Sequence, residues 1–272
     1  MKSWNIEPDA NPPGAASLRS TPTLSRPASA SPFSTPQEPR LNEAALSAMA
    51  RARQAFFAGL GRIDAQPLAP PRHPVFAGGP IWPALRQAWR VIHRPDTTLV
   101  FSDGLSDPFD PFDPDNPFGA TGSRVVTPGL GLEIYAEARG RLDDVATSWL
   151  FDLVHQVSQN AVVHGRFLSL LREHGAISLQ MAMSGLPDGW LSAGGLATVL
   201  VGVPAGSVPA RFSTPHGPVS AVALTLVPAS SRLAMESEEG GFIGQVRTLA
   251  ERLGRVPEGH VNDPARVSGG FA

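Results

Sequence analysis

Cysteine is absent from the 272 residues, and Lys2 is the only lysine. The first absence removes both a disulfide framework and thiolate metal sites, so the fold must stand on burial alone and the redox compartment stays open. The second removes the phosphate-cradling loop, whose Gly-Lys-Ser/Thr core cannot be written here. Charge of one sign is scarce as well: the formal net charge is −2 at pH 7 and the arginines are scattered. Neutralising several phosphates needs a basic cluster, so nucleic acid is not an expected partner. Long hydrophobic runs are missing too. The most apolar stretch, Leu196 to Val203, is eight residues, far short of the ~20 that cross a membrane. Near the start, Trp4 and Ile6 are separated by polar residues and followed by Pro8 and Pro12, which is no signal-peptide core. A cytoplasmic protein without a membrane partner is therefore expected. The preference for Arg over Lys, with abundant Ala, Gly and Pro, reads as a bacterial high-GC coding style.

Residues 1–40 are rich in Pro, Ser, Ala and Thr and offer few apolar side chains. They cannot repay their ordering entropy, so a disordered leader is predicted. Residues 41–74 should hold a helix capped by Asn42, with Leu46, Met49, Phe56, Phe57 and Leu60 at helical spacing, and then a Pro-rich connector from Pro67. Residues 75–254 are expected to form one domain, and 255–272 a loose tail. Within the domain, Pro83 predicts a short helix with Leu85, Ala88, Trp89 and Ile92 inward. A second helix runs from about Asp144 to Val163, with Val145, Trp149, Leu153, Val157 and Ala161 on one stripe, and ends at His164-Gly165. Strands are predicted at Ala176 to Met183, Leu196 to Val203 and Val219 to Val227, the last two apolar on both faces and so central in the sheet. A closing helix carries Phe242, Val246, Leu249 and Leu253, with Gly254 just past its end. Strands and helices without a regular βαβ beat give an α+β fold: a mixed, mainly antiparallel sheet packed by helices, behind a disordered N-terminal leader.

Two stretches carry the most information. Thr97, Leu99 and Phe101 alternate with Thr98, Val100 and Ser102, and the strand stops at Asp103-Gly104. About twenty residues on, Leu130, Leu132, Ile134, Ala136 and Ala138 alternate with Gly131, Glu133, Tyr135, Glu137 and Arg139, the period of a half-buried strand. Between them lies an acidic, proline-rich loop. The pairing of Gly104-Leu105-Ser106-Asp107 after one strand with Gly129-Leu130-Gly131-Leu132-Glu133 in the next resembles the Suppressor of fused-like domain. That family carries a Gly-Leu-Ser-Asp element followed by a Gly-Phe-Gly-Phe-Glu-Leu-type strand. The helix opened by Trp149 and the Thr214-Pro215-His216-Gly217-Pro218 turn follow in the family's order, so the resemblance covers roughly residues 75 to 254. It implies a non-enzymatic domain that binds another protein: a signalling factor in eukaryotes, and in bacteria a toxin domain neutralised by an immunity protein. The eukaryotic members carry a second lobe that this length is not expected to hold. Gly104, Leu105, Ser106 and Asp107 are the positions the resemblance carries over, the first two as turn and core, the last two as loop-fixing or partner contacts.

The loop Asp107-Pro108-Phe109-Asp110-Pro111-Phe112-Asp113-Pro114-Asp115 invites a calcium reading, but its alternate slots hold Pro and Phe where an EF-hand needs oxygen ligands. Proline fixes φ and bars strand pairing, which makes this a stiff, acidic, aromatic-tipped surface loop. Ser106, Asp107, Phe109, Asp110, Phe112, Asp113 and Phe118, together with Trp190, are accordingly expected to form a partner-binding surface. No catalytic, cofactor or metal residue is expected. Ser184, Asp188 and His216 supply the residue types of a hydrolase, yet Met181-Ala182-Met183-Ser184-Gly185 lacks the first glycine of a nucleophile elbow. Gly129-Leu130-Gly131 has no third glycine and precedes a strand, so it is no dinucleotide fingerprint. His155 reads as a solvent-side residue, and Glu133 and Glu137 as a wet sheet face. Two rivals stand beside protein binding: a hydrolase or metal-dependent enzyme, favoured if Glu133, Glu137 and His216 converge, and a scaffold acting through its leader.

Overall fold

A computed structural model describes residues 39–70, 79–80, 82–84, 86–109, 127–231 and 242–264, with side chains from Glu43 in the first helix and from Ile243 in the last. The predicted leader lies outside these residues except for Pro39 and Arg40, which open the first helix, and Asp110, Phe112, Asp113 and Phe118 of the acidic loop lie outside them as well. The described elements run α1 (Pro39–Leu60), β1 (Arg62–Ile63), β2 (Trp89–His93), β3 (Thr97–Ser102), β4 (Leu132–Arg139), α2 (Trp149–His164), α3 (Phe167–His174), β5 (Ile177–Ala182), a 3-10 turn (Asp188–Trp190), β6 (Leu196–Val201), β7 (Arg211–Thr214), β8 (Gly217–Val227), α4 (Phe242–Arg255) and β9 (Val261–Asn262). The nine strands form one sheet in the order β1-β2-β3-β4-β8-β6-β5, with β7 also on β8 and β9 also on β4. Only β4–β8 and β4–β9 pair in parallel. The mixed, mainly antiparallel sheet packed by helices is thus the observed fold.

Helices cover both faces of that sheet. On one face Leu132, Ile134, Ala136 and Ala138 of β4 pack with Leu150, Leu153, Val154, Val157 and Ala161 of α2. On the other, Tyr135 of β4 and Phe101 of β3 stack with ring centroids 4.5 Å apart, under Phe57 of α1. Helix α4 lays Val246, Ala250 and Leu253 on Leu200 and Val227. The predicted central strands β6 and β8 do lie inside the sheet. Helix α2 begins where Trp149 was expected to open it, capped by Ser148, whose side chain accepts from the Phe151 N–H at 3.3 Å. It ends at Gly165, whose φ of 53° is the left-handed cap glycine supplies most readily.

Several expectations give way. The helix predicted from Pro83 through Ile92 is not formed: Trp89–His93 is β2, paired antiparallel with β3. The apolar residues of so short a run fit a helical stripe, but Val91-Ile92 beside Trp89 favours the pleated form. Trp89 is fully buried, edge-on to Trp82 and Phe151 at 5.2 and 5.3 Å. Burying such a ring is worth about 4–6 kcal/mol at most. The segment after Arg255 is not wholly loose either, since β9 pairs with β4 and both His260 and Asn262 are buried. Short strands β1, β7 and β9 and helix α3 carry too little periodic sequence to have been read.

Candidate functional site

The expected partner-contact loop begins as a buried ionic clasp. Helix α1 sends Arg53, fully buried, into the bend that follows β3. Its Nε donates to Asp103 Oδ1 at 2.8 Å, its Nη1 to Ser106 Oγ at 3.2 Å, and its Nη2 sits 2.6 Å from Asp107 Oδ1. Arg86 and Arg90 close on Asp103 from the rim at 3.0 and 2.9 Å. Glu133, wholly buried on β4, lies beneath, 3.7 Å from Arg53 Nε. Ser102 Oγ donates to Glu133 Oε2 at 2.5 Å. The other oxygen, Oε1, accepts from Ser106 Oγ at 2.6 Å, from the Ser106 N–H at 3.0 Å and from the Gly104 N–H at 3.2 Å. The Gly-Leu-Ser-Asp bend is therefore folded around one carboxylate.

Three carboxylates face three guanidiniums here, and their titration splits. Burial, the largest influence on Glu133 and Asp107, pushes both pKa values up, and Arg53 only partly offsets it. Burial acts the same way on Asp103, but the charges of Arg53 and Arg86 and the hydrogen bonds from Arg53 and Arg90 outweigh it and hold that pKa down. Arg53 loses basicity to burial and regains more from Glu133, Asp107 and Asp103, so it stays charged. Each of the three carboxylates is met by arginine, and Glu133 also by serine hydroxyls and backbone N–H groups of this chain. The clasp is built to hold a loop.

A second polar cluster stands four residues along β4. Glu137 accepts from Thr97 Oγ1 at 2.5 Å and from Arg94 Nη1 at 3.1 Å, and faces His260 Nε2 at 2.9 Å. Ser207 Oγ lies 3.2 Å from the same His260 nitrogen. Serine, histidine and glutamate thus meet, but not as a triad. A base needs one ring nitrogen for the serine proton and the other for the orienting acid, whereas here both partners meet Nε2. Burial, the largest influence on Glu137, raises its pKa, yet hydrogen bonds from His260 and Thr97 and the charge of Arg94 bring it below the ordinary value.

Glu133 and Glu137 are consequently not a wet face, because α1 and β9 cover them. Nor do they converge with His216. That residue lies in the β7–β8 turn, and β8 runs parallel to β4 with Leu132 level with Ser220. Glu137 is then about nine residue levels from His216, roughly 30 Å at a strand's rise per residue. No hydrogen bond or ion pair joins Ser184, Asp188 and His216 among the described residues. His155 is half-buried rather than solvated, edge-on to Trp89 at 5.1 Å, and burial lowers its pKa. Of the expected contact residues, Ser106 and Asp107 are sealed inside the clasp, Trp190 is buried in the α2-side core, and Phe109 is half-buried. Arg53, Arg94 and His260 escaped the sequence reading. Arg53 had a signal: it stands midway between Met49 and Phe57 on the apolar stripe of α1, where a charge needs a buried partner.

Among the described residues no group of three or more His, Asp or Glu side chains is placed to hold a metal ion, and no helix is long and apolar enough to cross a membrane. No protein-family model matches the chain, and none of the curated proteins matches it. Among solved structures it is similar to the crystal structure of Drosophila Suppressor of Fused, at 13% identity and a TM-score of 0.49. The match covers 82% of this chain and 50% of that one, so the chain spans about half the length of that protein. It is a weak likeness of fold.

Proposed function

We propose that this chain is a non-enzymatic protein-binding domain. The observation that carries the reading is the open edge of β5. Among the described residues that strand pairs with β6 on one side only, and of its six residues just Met181 is buried. An edge strand with free N–H and C=O groups is a template on which an extended segment of another chain can add a strand. The polar clusters support the same reading, since their carboxylates are engaged with arginines and hydroxyls of this chain. In its finer form the reading makes the chain an immunity protein that binds and neutralises a toxin domain, which rests on the resemblance of the four sequence motifs.

The test uses two neighbouring variants, Leu179→Pro and Gln180→Pro. Successive N–H groups point to opposite sides of a strand, so one of the two prolines deletes an outward N–H and leaves the β6 ladder whole. The variant that keeps the parent melting temperature is the informative one. Co-expressed with a toxin domain encoded beside it, the parent chain is expected to form a stable complex and restore growth, and that variant to lose both. A complex unchanged by the tolerated proline would move the binding surface away from β5.

A further inference from the structure

A cleft of about 310 Å³ opens where the sheet forks. Strand β6 leaves β8 at the Val201–Leu224 pair, and β7 joins β8 only from Ser220 downward. Between them, residues 221 to 223 of β8 face the loop 202–210, with the Ala221 N–H donating to Ala210 O and the Gly202 N–H donating to Ala223 O, each at 2.9 Å. Helix α3 closes one side with Leu168, Leu171 and Arg172, at i, i+3 and i+4 on one face. Arg211 and Ser220 are cross-strand partners, and Val222 shares their face.

The lining holds two cations and no carboxylate. Arg172 and Arg211 are exposed, and among the described residues neither meets an acidic side chain. Elsewhere the buried arginine Arg53 is clasped by carboxylates, so a cleft with two arginines unpaired among the described residues, lined besides them mainly by apolar residues with Tyr135 and Ser220, stands out. Two like charges lining one cleft repel, and an anion bound there relieves that repulsion while accepting charge-assisted hydrogen bonds. The volume lies at the lower end of ligand pockets, roughly 300–1,000 Å³, which suits a short chain rather than a nucleotide. Gly202, with φ of 94°, keeps the neck open, because a Cβ there would stand 3.1 Å from Leu171 Cδ2 and from Gly175 O. We propose that this cleft binds an apolar monocarboxylate, with its carboxylate on Arg172 and Arg211 and its branched or straight hydrocarbon tail between Leu168, Leu171 and Val222.

The same chemistry is found on a free short-chain acid and at the C-terminus of a peptide ending in leucine. Amide resonances of Gly175, Gly202 and Ala221 are followed while the full chain is titrated with 4-methylpentanoate, its neutral amide, inorganic phosphate, and acetyl-Ala-Leu with a free or an amidated C-terminus. The expected result is a saturable, millimolar response to the two carboxylates, weakened about tenfold or more in Arg172→Gln/Arg211→Gln, a loss of at least one unit of log affinity. Tighter binding of the peptide acid assigns the site to a partner's C-terminus, and equal or tighter binding of the free acid to a small molecule. The proposal is overturned if the neutral amides bind as well as the acids, if phosphate binds as well as 4-methylpentanoate, if the double variant binds unchanged with its melting temperature intact, or if no resonance of the cleft responds.

Discussion

Arg53→Met should unfold this protein at a markedly lower temperature, because it removes the one guanidinium that reaches Asp103, Asp107 and Glu133 together. Breaking a buried ion pair from one side costs about 3–5 kcal/mol, most of it the penalty of the charge left behind. The three carboxylates do not suffer equally. Glu133 keeps its two serines and two backbone N–H groups, and Asp103 keeps Arg86 and Arg90. Among the described residues Asp107 keeps only Arg86, at 3.7 Å, so it should carry most of the loss. At roughly 2–4 °C per kcal/mol for a domain of this size, the melting temperature should fall by about 6–20 °C. Adding Asp107→Asn to Arg53→Met should restore part of that fall, with a coupling above about 1 kcal/mol in a double-mutant cycle. The single variant should also regain more stability than the parent as the pH drops, since burial already raises the Asp107 and Glu133 pKa values in the parent and losing Arg53 removes the charge that offsets it. An Arg53→Met protein melting within a couple of degrees of the parent, or an additive cycle, would refute the clasp as the tie between α1 and the bend.

Three further outcomes follow from the same geometry. Glu137 has a depressed pKa, so its contribution is present above the ordinary 4.5 and is lost as the pH falls through the lower folded value; Glu137→Gln should melt lower than the parent at pH 7 and lose less on acidification. Gly129 has φ of 44°, and a Cβ there would lie 2.3 Å from Asp107 O and 2.6 Å from Leu105 O; urea titration of Gly129→Ala should show a loss of at least about 2 kcal/mol. Ending the chain after Val256 deletes β9, and with it the Asn262 side chain that donates to Glu137 O and Leu224 O and accepts from the Leu226 N–H. Asn262→Ala alone should cost about 1–3 kcal/mol, and the truncation more, as read from thermal melts.

Where one element's side chains announce its partner face, the sequence was enough. The alternation in Thr97–Ser102 and Leu132–Arg139, the apolar stripe of α2 and the two-faced apolar runs of β6 and β8 all state a local periodicity that tertiary packing then respects. Glu133, Tyr135 and Glu137 misled because a polar face can be buried when its partners come from far along the chain: Arg53 lies 80 positions before Glu133, and His260 lies 123 after Glu137. Nothing local to β4 encodes either partner. Trp89 misled for another reason, since Leu85, Ala88, Trp89 and Ile92 fall at helical spacing while Trp89 to His93 form a strand.

The burial of Ser106 and Asp107 changes what the motif means. Both were expected to fix the loop or to meet a partner, and each is held within the bend by Arg53 or Glu133. What the bend and the following Glu133 do is fix α1 across β3 and β4. The two surfaces proposed for binding, the open edge of β5 and the arginine-flanked cleft beside α3, lie on opposite sides of β6 and can be tested one without the other.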